Sequence, residues 1–181
     1  MKLSLLFLSV FLSVSFFGQN VNIPDANFKA YLVGNSAINT NSDTEIQLSE
    51  ASAFTGTIDC NGQNIYDLTG IEAFTALTYL YCYNNYLTSL NVFSNSALET
   101  LFCYGNQLPS LDISSNTALT YVNCQANQIG SLDLSNSTAL EAIYCGLNQL
   151  TSLDLSSNTS LTLLDCFGNQ LTSLDVSNNT S

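Results

Sequence analysis

From Leu77 onward, apolar and polar positions follow one pattern that recurs every 21 residues as far as Ser181. In register the five phrases read LTYLYCYNNYLTSLNVFSNSA, LETLFCYGNQLPSLDISSNTA, LTYVNCQANQIGSLDLSNSTA, LEAIYCGLNQLTSLDLSSNTS and LTLLDCFGNQLTSLDVSNNTS. Each phrase splits into halves with the same offsets: Leu77, Leu80, Cys82 and Asn85, then Leu87, Leu90, Val92 and Asn95. The middle of each half alternates in the manner of a half-buried strand, and no stretch has the spacing of a long helix. A unit this short cannot bury its apolar side alone, so the period predicts coils stacked into a solenoid, each with two short extended segments.

The phrase L-x-x-L-x-C-x-x-N-x-L-x-x-L-D-L resembles the leucine-rich repeats, and within them the bacterial 21-residue nested (IRREKO-type) class. The resemblance covers Leu77–Ser181 strongly and Thr55–Ala76 more loosely. The looser stretch keeps Ile58, Cys60, Ile65 and Leu68, and its tail Gly70-Ile71-Glu72-Ala73-Phe74 resembles the 22-residue repeats of internalin-type bacterial surface proteins. It implies an α+β/β solenoid of the right-handed leucine-rich-repeat kind, with two short parallel strands per coil and usually a role as a protein-interaction scaffold. The third phrase departs from the pattern: Val122 and Ile129 replace Leu, and Ser137 stands where the second Asn belongs, with Asn136 one place early. A locally altered turn is expected there.

Upstream, Met1-Lys2 and the apolar run LSLLFLSVFLSVSFF read as a secretory signal peptide over residues 1–19, too short and badly flanked for a membrane span. No Cys precedes Cys60, which excludes a lipoprotein anchor at the signal junction, so an exported, secreted or surface location is expected. Residues 20–54 lack the repeat and are expected to form a helical N-terminal cap over the open end of a six-coil solenoid spanning 55–181. Pro24-Asp25 starts a helix bearing Phe28, Tyr31 and Leu32 on one face, Gly34-Asn35 stops it, and a second short helix is expected from Ser49 through Phe54. The sequence stops on the last residue of a repeat without a C-terminal cap, so a longer protein is expected, and the resemblance to exported repeat proteins of Bacteroidetes implies further coils and a sorting domain beyond it.

Charge narrows the partners. Lys2 and Lys29 are the only basic residues against 14 acidic ones, with no Arg or His. Such a surface offers nothing to nucleic acid or anionic lipid, which need cation–phosphate contacts. Charged residues are 9% of the chain, so solubility must rest on Asn, Ser and Thr.

One loop has the spacing of a calcium site. Asn39, Asn41, Asp43, Glu45 and Glu50 occupy positions 1, 3, 5, 7 and 12 of an EF-hand-like loop between the two cap helices. Asn39 replaces the usual Asp, and Thr44 the Gly of the sharp turn, so only Asp43 and Glu50 would lend side-chain charge. The competing reading is a polar turn pinned by its own Asn and Asp side chains. No other cofactor is indicated.

The repeated letters become columns. Cys60, Cys82, Cys103, Cys124, Cys145 and Cys166 share one inward position that the second half-repeat fills with Val, Ile or Leu. Stacked ~4.8 Å apart, each thiol has two equivalent neighbours, so free, buried thiols are expected rather than disulfides or a metal site. Asn85, Asn106, Asn127, Asn148 and Asn169 form a second, structural column. Outward positions of the first strand hold Tyr79, Tyr81, Tyr83, Phe102, Tyr104, Tyr121, Tyr144 and Phe167, the candidate partner-binding residues. Those of the second half hold Ser89, Ser110, Ser131, Ser152 and Ser173 beside Asn91, Asp112, Asp133, Asp154 and Asp175.

An aromatic stripe suits recognition, since Tyr gives large contact area at low rotamer cost; the alternative is that the rings only cover the strands. The Asp column could attract divalent cations, but Ser hydroxyls and backbone amides are expected to satisfy it. The flat Ser/Thr face also admits an ice-binding reading, which Pro109 and Gly130 interrupt. Catalysis is not expected, since there is no His, no spare Lys, no phosphate loop and no distinct Cys. The reading is a non-catalytic extracellular adaptor or adhesin-like module that binds protein, with a carbohydrate-binding surface module as the alternative.

Overall fold

The computed structural model describes residues 18–180. The expected signal peptide therefore lies almost wholly outside the described residues. Six three-residue strands, β1 (Thr57–Asp59), β2 (Tyr79–Tyr81), β3 (Thr100–Phe102), β4 (Tyr121–Asn123), β5 (Ala142–Tyr144) and β6 (Leu163–Asp165), form one parallel sheet in chain order. Register never slips: Ile58, Leu80, Leu101, Val122, Ile143 and Leu164 face one another along a single inward row. From β2 onward the constant period forces this result, because a one-residue slip would turn every leucine outward; the first step, one residue longer, is absorbed outside the strands. The chain is a parallel solenoid with a continuous core.

Two residues past that row come the cysteines, whose amides extend the ladder beyond the strands: Cys82 N donates to Phe102 O at 2.9 Å and Cys124 N to Tyr144 O at 2.8 Å. All six thiols are free, five of them buried and Cys166 half-buried. The inward cysteine column is thus the apolar row that the spacing predicts.

The second half of each coil departs from expectation. Its leucines do turn inward, with Val92, Ile113, Leu134 and Leu155 buried. It makes no second ladder, however; the coils touch there through one isolated parallel bridge, Asn91 to Asp112. Local side-chain bonds explain the loss. Asp112 Oδ1 accepts the Ser114 amide at 3.0 Å, and Asn116 N then bonds back to Ile113 O at 3.0 Å, so the backbone curls after two extended residues.

Two asparagine columns hold the turns. In the first, Asn106 Nδ2 donates to the Cys82 and Cys103 carbonyls at 3.1 and 3.0 Å while its Oδ1 accepts the buried Leu87 amide at 3.0 Å. Asn85, Asn127, Asn148 and Asn169 repeat that arrangement. In the second column Asn95, Asn116, Asn158 and Asn179 only donate, and their buried Oδ1 atoms find no partner.

Ser137 occupies the gap in this second column, and the turn around it is not altered. Ser137 N still bonds to Leu134 O at 3.0 Å and Leu140 N to Ser137 O at 3.2 Å. Asn136 is no substitute, since its Nδ2 reaches outward to Ser114 O. What the coil lacks is the pair of side-chain bonds that an Asn would send to the Ile113 and Asn116 carbonyls. Ser137→Asn is therefore expected to stabilise the chain by about 1 kcal/mol, read as a raised urea midpoint at unchanged slope.

At the exit of the first strand the backbone needs a positive φ. Gly62, Asn84, Gly105 and Gly168 supply it easily, whereas Ala126 (51°) and Leu147 (54°) adopt it against their Cβ preference.

The cap closes the first coil. Helix α1 (Ala26–Val33) starts at Asp25, whose Oδ1 accepts the Asn27 and Phe28 amides at 2.9 Å each. The other carboxylate oxygen takes the Tyr66 and Asp67 amides of the first coil, so one side chain both caps the helix and clamps it to the solenoid. Helix α2 (Leu48–Ala53) opens with a capping box between Gln47 and Glu50. Tyr31 Oη accepts the Asp59 amide at 2.9 Å, covering a backbone donor at the otherwise open edge of β1. Phe28, Leu32, Ile38 and Ile46 are fully buried and join the core that runs along the coils.

Candidate functional site

Because β1 to β6 keep strict register, the outward side chains fall into three rows. The first runs Thr57, Tyr79, Thr100, Tyr121, Ala142, Leu163, in which the small Thr100 and Ala142 are covered over, and the second Asp59, Tyr81, Phe102, Asn123, Tyr144, Asp165. The third lies beyond the strands, beside the cysteines: Asn61, Tyr83, Tyr104, Gln125, Gly146, Phe167. The aromatic residues therefore form a patch, not a single stripe.

The patch is densest over β2 and β3. Tyr83 and Tyr104 stack at 4.4 Å between centroids with their planes 9° apart, and Tyr81 and Phe102 pack at 5.1 Å with a 36° tilt. All four are half-buried, each ring supported by its neighbour. The stacks end where the fourth coil supplies Asn123 and Gln125. Tyr121, 44% exposed, lies on that same coil and Tyr144 on the next. Phe167 lies across Gly146, where a Cβ would come within 2.7 Å of the ring.

Carboxylates border the patch. Tyr79 Oη donates to Glu99 Oε2 at 3.0 Å, and Tyr121 Oη to Glu141 Oε2 at 3.1 Å. These hydrogen bonds, reinforced by the nearby negative charge, raise both phenols above their usual range. Burial and the adjoining Tyr83 raise Tyr104 as well. The Glu partners escape a reading by 21-residue phrases, but an alternation over two coils marks them: Thr78-Tyr79, Glu99-Thr100, Thr120-Tyr121, Glu141-Ala142. Asp59 and Asp165 end the second row. Gln125 Nε2 reaches across to Asp165 Oδ2 at 2.9 Å. A second stacked pair, Tyr66 and Tyr86 at 4.9 Å, sits apart from this face and was not marked by the repeat pattern.

The Asp column is satisfied locally. Asp133, Asp154 and Asp175 accept the amides of Ser135, Ser156 and Ser177 at 2.9 Å. Those amides and the same serines' hydroxyls hold the carboxyls below the usual range, as the Ser114 hydroxyl and amide do for Asp112.

In the cap loop the five candidate calcium ligands are engaged with one another and with nearby backbone. Glu50 Oε1 accepts the Thr40 amide at 2.8 Å and the Thr40 hydroxyl at 2.9 Å, while its Oε2 accepts the Gln47 amide. Asn41 Nδ2 donates to Asp43 Oδ2, and Asp43 Oδ1 accepts the Glu45 amide. Glu45 is drawn off to Lys29 at 2.6 Å, and Asn39 Nδ2 ties down the Val33 and Asp43 carbonyls. Among the described residues no three His, Cys, Asp or Glu groups converge on a metal position. Calcium entering this loop would have to break these bonds.

The five buried thiols are held out of chemistry. Burial raises Cys60, Cys103 and Cys145 to about 12 and pushes Cys82 and Cys124 well above the usual thiol range. A buried, protonated thiol is a poor nucleophile.

The overall fold is similar to those of solved proteins. The functional domain of InlJ from Listeria monocytogenes, described as including a cysteine ladder, aligns at a TM-score of 0.55 with 29% identity. The match covers 90% of this chain and 46% of that one. The chain folds as a bacterial-type leucine-rich-repeat solenoid. A leucine-rich-repeat protein from Leptospira interrogans shares the fold at a TM-score of 0.64 and 21% identity, over 69% of this chain and 34% of its own. The chain thus spans less than half of either leucine-rich-repeat relative. No family model and no curated protein matches the sequence.

Proposed function

We propose that this leucine-rich-repeat segment is a non-catalytic protein-binding module working outside the cell, with β2 and β3 and the residues just past them as its contact surface. The observation that carries the reading is the four-ring plate of Tyr81, Tyr83, Phe102 and Tyr104, half-exposed and pre-ordered by mutual stacking. Rings already fixed lose little rotamer freedom on binding, so their contact area converts efficiently into affinity. The likeness to internalin-type leucine-rich-repeat proteins, generally scaffolds rather than enzymes, supports the same conclusion. So do thiols kept protonated by burial. The apolar N-terminal leader supports export. No helix among the described residues is long and apolar enough to cross a membrane.

A glycan would use the rings differently, because sugars seek open aromatic faces. Tyr83 and Tyr104 each spend one face on the other, which favours a protein partner over the carbohydrate alternative. The test pairs the native protein with a variant carrying Tyr81→Ser and Tyr104→Ser, whose stability should fall by only about 1 kcal/mol per lost stack. Affinity capture from surface-protein extracts is expected to recover a partner with the native protein and lose it with the variant, while a glycan array stays blank for both. A glycan signal abolished by the variant would move the conclusion to the carbohydrate module.

A further inference from the structure

The face described above is as notable for its charge as for its rings. The outward row across all six strands reads Asp59, Tyr81, Phe102, Asn123, Tyr144, Asp165, with a carboxylate at each end and three aromatics and Asn123 between. Glu99 and Glu141 add charge along one margin, beside the Tyr79 and Tyr121 hydroxyls. Nothing on the face neutralises them. The six strands carry no Lys or Arg, and the one lysine among the described residues, Lys29, is paired with Glu45 in the cap.

We propose that the partner presents a basic, extended segment that lies across the strands, its cations seated at Asp59 and Asp165 and over the plate formed by Tyr81, Phe102, Tyr83 and Tyr104. This rests on the reading of the strand face as the binding surface and adds the chemistry of what binds. Three arguments fix it. The sign of the charge is uniform, so a cationic partner gains from every flanking carboxylate while an acidic one is repelled. Tyrosine hydroxyls accept hydrogen bonds from guanidinium and ammonium groups, so Tyr81, Tyr83 and Tyr104 let the middle of the row contribute as well as its ends. The geometry selects the orientation: each strand is only three residues long, whereas five inter-strand steps of ~4.8 Å carry the row over about 24 Å. An extended chain covers that span in about seven residues. Basic residues about seven apart, with one or two between, meet both ends and the plate together.

The Asp165 carboxylate is held in place for this. Gln125 Nε2 donates to its Oδ2 at 2.9 Å, and the Phe167 amide lies 3.4 Å from its Oδ1. Asp59 Oδ1 accepts from Asn61 Nδ2 at 2.6 Å at the opposite end.

The test is fluorescence anisotropy with synthetic decapeptides added to the whole chain. One has Arg at positions 1, 4 and 8 in a Gly/Ser/Thr background; a control replaces each Arg by Gln, and a second replaces each by Glu. The Arg peptide is expected to bind, the Gln peptide about tenfold more weakly and the Glu peptide not at all. Raising NaCl from 50 to 500 mM, or combining Asp59→Asn with Asp165→Asn, is expected to weaken the Arg peptide about tenfold. Equal binding of the Arg and Gln peptides, or no binding of either, overturns the proposal. If the Gln peptide binds as well as the Arg peptide and only the Tyr81→Ser/Tyr104→Ser variant loses it, the strand face stands and the basic partner fails. If the Arg peptide binds that aromatic variant undiminished, the attraction is diffuse charge and the face itself falls.

Discussion

Raising the pH from 8 towards 11 is expected to unfold this protein cooperatively and to release several protons in the same step. The cause is the cysteine column. Burial lifts Cys60, Cys103 and Cys145 to about 12, against 9.0 for the free thiol. A folded-state value above the unfolded one means that the contribution is fully present below about pH 9 and is lost as pH rises towards 12. Together these three buried thiols represent on the order of 10 kcal/mol, comparable with the whole stability of an ordinary domain. The chain should therefore open before the buried thiols titrate in place. Tyr31, raised chiefly by its burial in the cap, pulls in the same direction. Circular dichroism against pH would show the transition, and Cys103→Ala should move its midpoint to higher pH. Retention of the native signal to pH 12, or immediate labelling of all six thiols at pH 8, would contradict a sealed column; only Cys166 is placed to react quickly.

Asn106→Ala is expected to cost about 3–4 kcal/mol. Alanine would remove the two carbonyl bonds and the Leu87 amide bond together, all in a buried site. Each unpaired buried group costs about 1–3 kcal/mol. Asn106→Asp should be no milder, because a carboxylate would face the Cys82 and Cys103 carbonyls that now accept from Nδ2. Asn116→Ala should cost less, about 2 kcal/mol, since Asn116 donates to the Val92 and Asn95 carbonyls while its Oδ1 serves nothing. Urea midpoints of the three variants test the ranking. A loss under 1 kcal/mol for Asn106→Ala would mean that the turns are set by something other than this column.

Much of this was legible in the letters. A period without insertions makes every coil's environment the same, so cysteines, leucines and asparagines must each fall into line, and the columns follow. The identity of the inward and outward sides came with them, because Cys82 and Tyr81 are adjacent and a strand turns adjacent residues to opposite faces. The second strand was misread for a physical reason. Alternation places Leu111 and Ile113 inward correctly, but the ladder depends on backbone bonds, and Asp112 bends the chain towards Ser114 before they form. Ser137 was misread in the same way: its backbone bonds already close the turn, and the missing Asn costs only side-chain bonds.

The binding face divides along that line. The sequence by itself placed Tyr81, Tyr83, Phe102 and Tyr104 outside and next to one another, because repetition determines register and register determines facing. Only the tertiary structure decided that these rings pair off, that Tyr79 and Tyr121 belong to Glu99 and Glu141, that Asp59 and Asp165 terminate one row, and that Asp25 binds cap to coil. Those facts depend on where one coil's side-chain tips lie against the next, at distances of 3 to 5 Å that differ from coil to coil while the repeat stays the same.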